Sequence, residues 1–281
     1  VLFRSGRKAY IDGDISVSLL PSPTATVRGL RIASLPGAAE SDLVKLPQVD
    51  VHLKFFPLLS GEMAVSGVTL VEPVVNLEVL PDGRKTWDFA AATTAPAAAG
   101  QLQPPPMAAP AAPAAGGEET AIGGLTIENG TLIWRDHAAG SIDRVTNIDA
   151  DVTMDSLNGP FNVDGSMVAR GLETKIEANL GDLRSLPAPL NVTAAIADTK
   201  AEFAGSLSNG ATGFAVNGKL QANSPDPSRL LLAGGGTVPG FLAQPLDLSS
   251  TVTGDGIIHE IAIENLSLGD LRATGRGRVV A

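Results

Sequence analysis

The chain has 281 residues, enough for one large domain or two ordinary ones with a sizeable core. Its formal net charge of -10, with 20 Lys and Arg against 30 Asp and Glu and no basic cluster, excludes a nucleic-acid partner and any attraction to anionic headgroups by overall charge alone. The absence of cysteine excludes a disulfide framework, a zinc–thiolate site and a cysteine nucleophile. With 31 glycines and only 4% aromatic residues, the composition favours strands and turns over packed helices.

In chain order, the region around Pro36 and Leu46 is compatible with a short helix. Val49, Val51, Leu53 and Phe55 then alternate with Asp50, His52 and Lys54. That period of two predicts a strand with one apolar and one polar face. Val75, Leu77 and Val79 repeat the pattern, and Pro81-Asp82-Gly83 predicts a turn. Residues 90–120 are almost wholly Ala, Pro, Gly, Thr and Gln, which predicts an extended linker or disordered loop between a first segment, 1–89, and a second, 121–281. Its prolines interrupt any membrane-spanning helix, and no other run is long enough to span. The chain begins at Val1 rather than Met and ends within a strand-like pattern, so it reads as a fragment.

Beyond the linker, Asn129-Gly130 predicts a two-residue hairpin that sets Ile127 opposite Leu132 and Leu125 opposite Trp134. Asn209-Gly210 predicts another, with Leu207 opposite Thr212 and Phe203 opposite Val216. Further alternation runs through Ile176, Ala178 and Leu180, Val192, Ala194 and Ile196, Leu246 and Leu248, and Ile261 and Ile263. Glycines 165, 205 and 218, inside strand patterns, predict bends or close contacts. Ser224-Pro225-Asp226-Pro227 ahead of Ser228–Leu232 predicts a capped helix of about two turns, with Gly234-Gly235-Gly236 as its flexible end.

No catalytic constellation emerges. His52 lies on a polar strand face. Asp136-His137 and His259-Glu260 are adjacent pairs whose members point to opposite faces of a strand. The histidines have no metal-ligand spacing, the glycine run lacks the Lys-Ser/Thr of a phosphate loop, and Asp12-Gly13-Asp14 lacks the later ligands of a calcium loop. The reading is therefore of a non-enzymatic protein with no metal and no cofactor.

Several ordered motifs carry a family resemblance. They are Val27-Arg28-Gly29-Leu30-Arg31-Ile32, then Pro57-Leu58-Leu59-Ser60-Gly61, Glu72-Pro73, and the corner Pro81-Asp82-Gly83-Arg84-Lys85-Thr86-Trp87. After the linker come residues 125–132, Trp134-Arg135-Asp136, residues 156–161 and residues 218–226. In this order they resemble the AsmA family of bacterial envelope proteins, which belongs with AsmA/TamB-like bridge-type lipid carriers. The corner has Thr86 where the family usually has Asn. The resemblance implies a mainly β fold: an elongated, curled antiparallel sheet, an open β-trough, with a few short helices. It implies a periplasmic protein held in the inner membrane by a helix preceding Val1, acting in outer-membrane biogenesis. Its expected partners are phospholipid and envelope or outer-membrane assembly proteins.

A sheet with one apolar face must cover it or use it. If acyl chains cover it, the expected trough residues are Val51, Leu53, Leu125, Ile127, Leu132, Ile176, Leu180, Val192, Ile196, Phe214, Val216, Ile261 and Ile263. The same residues would serve equally as the core between two packed sheets of a non-transporting scaffold. A glycan hydrolase is a third alternative, dependent on two carboxylates at working separation.

Overall fold

The computed structural model describes residues 7–59, 64–88, 123–156, 158–210, 213–233, 240, 243–255 and 258–280. The expected linker, the glycine run at 234–236 and the first six residues lie outside them. The first segment holds β1 (Ala9–Ile11), β2 (Ile15–Ser18), β3 (Thr24–Ala33), β4 (Asp42–Leu53), α1 (Phe55–Leu59), β5 (Val65–Val71) and β6 (Val74–Val79). The second begins with β7 (Gly124–Asp136), β8 (Ser141–Met154), β9 (Phe161–Ala169), β10 (Leu172–Leu180) and β11 (Ala188–Ile196). It continues with β12 (Thr199–Gly210), β13 (Gly213–Ser224), α2 (Ser228–Ala233), β14 (Leu246–Gly254), β15 (Ile258–Leu268) and β16 (Leu271–Val280).

All sixteen strands belong to one sheet, so the fold is mainly β as the alternation predicts. Neighbours from β7 to β16 follow chain order as an antiparallel meander. In the first segment the strands divide. β2 pairs with the start of β3 and β1 with its end. β5 and β6 likewise share one side of β4, and both run parallel to β7. The sheet is thus mostly antiparallel, with β7 pairing parallel to β5 and β6. The connection from β6 to β7 spans residues 80–123, long enough to return the chain to the same end of the sheet.

A line of irregular residues crosses the first five long positions of the sheet. Glu72 (φ 51°) and Pro73 divide β5 from β6; Asn129 (φ 53°) interrupts β7; Asn147 (φ 51°) interrupts β8; Gly29 (φ 66°) interrupts β3 beside Pro47 of β4. The Glu72 N–H donates to the Glu128 carbonyl and the Thr131 N–H to that of Pro73, both at 2.8 Å, so the breaks in β5/β6 and β7 are bonded to each other. Left-handed backbone is accessible to Gly and Asn at little cost. A β-bulge uses it as readily as a turn does.

That explains the first misread turn. Asn129-Gly130 is not a hairpin but a bulge within continuous β7, held by the Asn129 N–H on Asp149 Oδ1 at 2.8 Å. Leu125 pairs with Val152 and Trp134 with Asp143, not with each other. The second hairpin exists, but its strands stay paired as far as Gly210 and Gly213. Leu207 therefore faces Val216 and Phe203 faces Leu220. The displacement is even, so the expected faces are kept. The Pro36–Leu46 region is no helix: a turn leads into β4 at Asp42, whose Val44 and Leu46 extend the strand period. Phe55 ends the alternation by starting α1. α2 forms where expected, with Asp226 Oδ1 accepting the Ser228 N–H at 3.0 Å.

Gly205 and Gly218 face each other across β12 and β13 beneath the Phe203 ring. A Cβ on Gly218 would lie 2.5 Å from the Ala204 carbonyl oxygen and 2.6 Å from Phe203 Cζ. Gly218→Val should therefore destabilise by about 1–3 kcal/mol in chemical denaturation. Gly277→Val, where a Cβ meets nothing within 4 Å, should be close to neutral; equal effects would refute the close-packing account.

Candidate functional site

Residues paired across a ladder project from the same face. Following the registers from strand to strand therefore traces one face through the whole sheet. One row starts at Ile15 and Val27 and crosses Val49 and Leu70 to Ile127. It passes through Ala150, Gly165, Ile176, Ala194, Ala201 and Ala222 to Leu248, Leu266 and Ala273. No polar side chain interrupts it on any of the fourteen strands it crosses. At about 4.8 Å between neighbours, its contour is roughly 60 Å long.

The adjacent row runs through Val17, Ala25, Val51, Val68, Leu125, Val152 and Val163, then Ala178, Val192, Phe203 and Leu220. It ends through Ser250, Ile263 and Gly275, with Ser250 its one polar side chain. The remaining sequence candidates lie on the same face. Leu132 sits beside Val75 and Val145; Leu180 lies between Phe161 and Leu190; Ile261 lies between Val252 and Gly277. Val216 is opposite Leu207, Phe214 opposite Asn209, and Leu53 next to Val65 beyond a register shift. Ile196 sits between Thr174 and Thr199, where the face turns polar and Thr199 Oγ1 donates to Ser224 Oγ at 2.7 Å. The registers thus bring all thirteen candidates onto one face, along with Ala150, Leu220 and Leu266, which sequence reasoning passed over, and Leu248, which it read as part of a strand but not as a candidate. Period-two runs through Ala150-Val152-Met154 and Leu246-Leu248 carried the missing signal.

The face is not a closed core. Among the described hydrophobic residues only Ala9, Leu43, Val49, Leu80, Ala188 and Ala215 are buried. Two stacked sheets would bury the large aliphatic residues between them completely. Here Ile127, Ile176, Leu180, Val192 and Ile261 are half-buried, while the polar residues that alternate with the apolar ones of β8 and β10 are mostly exposed. At the end of the face where Thr174, Thr199 and Ser224 are buried, the Ala233 carbonyl of α2 accepts Arg170 Nη1 at 3.4 Å.

A separate, buried polar cluster lies on the opposite side of the sheet, near the corner at 80–88. Glu78, 1% exposed, receives the Ala39 N–H at 2.9 Å and the Glu40 N–H at 3.0 Å. Arg135 Nη1 donates to it at 3.3 Å, and His137 Nε2 lies 3.0 Å from Oε2. Burial opposes the charge, but the His137 hydrogen bond, the two amides and Arg135 outweigh it and hold the Glu78 carboxyl below the usual range. Thr86, fully buried, exchanges hydrogen bonds with the Glu78 backbone: its N–H donates to the Glu78 carbonyl and its Oγ1 accepts the Glu78 N–H, both at 2.9 Å. Arg7 donates to the Thr86 carbonyl at 2.7 Å. On the apolar side, the Trp87 ring lies 4.8 Å from that of Trp134. His137, which alternation separates from the adjacent Asp136, is instead a partner of this distant carboxylate. His52 bridges Thr24 and Thr69 at 3.3 and 3.2 Å. No group of three or more His, Cys, Asp or Glu suited to a metal occurs among the described residues.

The model of the AsmA family matches residues 4–265, nearly the full chain. The chain belongs to the AsmA family. No curated protein and no solved structure matches it. AsmA proteins are envelope proteins, and membership supports a role in envelope biogenesis. The family is not known as enzymatic. No helix among the described residues of this AsmA protein is long and apolar enough to cross a membrane. Its Thr86, which departs from the usual Asn, still ties the corner to Glu78 through both backbone and side chain.

Removing Glu78 strands Arg135 and two amides in a buried site. Glu78→Ala should cost about 3–5 kcal/mol in denaturant titration. Because the folded carboxyl is held below its unfolded value, its stabilisation is full above about pH 4.3 and is lost as pH falls through the folded value. Glu78→Gln should therefore flatten the acid side of the stability profile below that pH, leaving the neutral side parallel to the parent's.

Proposed function

We propose that this AsmA protein carries phospholipid, with the acyl chains lying along the apolar face between the inner and outer membranes. The single observation that carries the reading is the row from Ile15 to Ala273, which crosses fourteen strands without a polar side chain. Each methylene withdrawn from water contributes about 0.8 kcal/mol, so an acyl chain needs no directional contact to be held. One membrane leaflet is roughly 15 Å of hydrocarbon, half the core of a bilayer, and the row is several times longer. Half-buried rather than buried side chains leave the face able to accept such a guest. The thirteen residues from Val51 to Ile263 named above are the proposed contacts. Catalysis, metal and cofactor have no part in this function. Family membership supports placing the protein in the periplasm, tethered to the inner membrane.

A scaffold for envelope assembly is the second reading. It is favoured by the same open apolar face, which another protein would cover in place of acyl chains.

The two readings part on one measurement. Protein purified without detergent should release phospholipid on organic extraction, detected by mass spectrometry. Ile176→Glu and Leu180→Glu, on the apolar face, should reduce that lipid at least about tenfold, the equivalent of losing a little under two buried methylenes. Lys175→Glu, exposed on the other face, should leave it unchanged. Lipid-free parent protein, or equal loss in all three variants, would overturn the carrier reading in favour of the scaffold.

A further inference from the structure

The geometry points to one corner of the sheet as the place where this protein docks on a phospholipid bilayer, a deepening that rests on the carrier reading. Two chain segments meet there. The β2–β3 loop carries Leu19, 57% exposed, and Leu20, 80% exposed. α1 carries Phe55, 47% exposed, and Phe56, 82% exposed. Their adjacency is fixed by the backbone: Thr24, at the start of β3, pairs with His52 near the end of β4, and the Leu53 N–H donates to the Pro23 carbonyl at 2.9 Å.

Three features favour a bilayer over a protein groove. Leu20 and Phe56 are almost fully exposed at loop and single-turn tips, a shape suited to insertion between headgroups rather than to packing against a flat partner. Residues 15–25 and 51–59 contain no Asp or Glu, and Lys54 is their one Lys or Arg. In a chain of net charge -10, these two stretches hold no carboxylate to oppose approach to an anionic headgroup layer. Finally, the tip is continuous with the apolar face. Val17, 65% exposed, leads from the β2–β3 loop to Ala25 and Val51, so a chain leaving a bilayer at the tip meets the long rows directly.

Co-sedimentation of the full chain with vesicles of phosphatidylethanolamine and phosphatidylglycerol tests this. The parent should sediment with the vesicles, and a Leu20→Asp/Phe56→Asp variant should bind at least about tenfold more weakly. Lys54→Glu should weaken binding to these vesicles but not to phosphatidylcholine alone. All the altered side chains are exposed, and unchanged thermal unfolding will verify that the variants fold. Parent protein that stays in solution, or a double variant that sediments like the parent, overturns the docking site. Capture of the tip by a protein with no vesicle binding overturns it too. Lipid extracted from the purified parent separates the two ideas: docking can fail with lipid still present, and the carrier reading fails if lipid is absent while the tip still binds vesicles.

Discussion

Side chains alternate with a period of two, so a strand displaced by one residue presents its other face. In a single sheet of sixteen strands, one uncorrected slip would divide the apolar surface in two. The chain contains several places where the odd residue is absorbed. Ile127 and Leu132 are separated by an odd interval yet share a face, because Asn129-Gly130 bulges between them. Val145 and Ala150 do the same around Asn147, and Val27 and Leu30 around Gly29. Near the far edge, Ile263 and Leu266 repeat it across a register shift in β15. Irregularity in this protein therefore maintains the face instead of disrupting it, and the line of irregular residues through β3–β8 keeps six strands in phase.

The polar side of the sheet supplies the rigidity that the open side lacks. Leu43 and Leu80 are buried there, alongside Asn76, Glu78 and Thr86. Glu78 ties together three parts of the chain distant in sequence: the turn at Ala39 and Glu40, the end of β7 at Arg135, and His137 beyond it. An uncompensated charge in that position would be expensive, and each of its contacts offsets part of the burial. The first segment is thus anchored to the second by a satisfied ion cluster on one face and by parallel pairing of β5 and β6 with β7 within the sheet.

Most strands and the identity of the apolar residues were legible in the sequence, because period two needs only local information. Which way a strand faced relative to its neighbours was not, since that depends on registers set by turns and bulges. Asn129-Gly130 shows why: the same left-handed preference builds a type I′ turn or a bulge, and only the parallel strands β5 and β6 decide between them. It led to the right face for Ile127 and Leu132 through the wrong pairing. Pro36–Leu46 misled because turn residues precede a strand there as they would precede a helix. The Glu78 cluster was invisible because its partners lie 38 to 59 residues away and no local pattern marks a carboxylate destined for burial. The family resemblance supplied the expectation of an open sheet, which periodicity alone did not favour over a closed core.

Side-chain size along the rows gives the open face a finer shape. From β8 to β13 the uninterrupted row is built almost wholly of small residues: Ala150, Gly165, Ala194, Ala201 and Ala222, with Ile176 the exception. The row on one side holds Val152, Val163, Val192, Phe203 and Leu220, with Ala178 in β10; the row on the other holds Met167, Thr174, Ile196, Thr199 and Ser224, where the face turns polar. Small residues beside one bulkier row leave a step running across the strands, apolar along one side. Under the carrier reading such a step offers an acyl chain contact on its floor and along that side, and dispersion contacts accumulate with each added neighbour. An aliphatic face of this extent is an aggregation hazard when bare. A linear guest can follow the step across the strands, whereas a second protein surface must match both the floor and the row beside it.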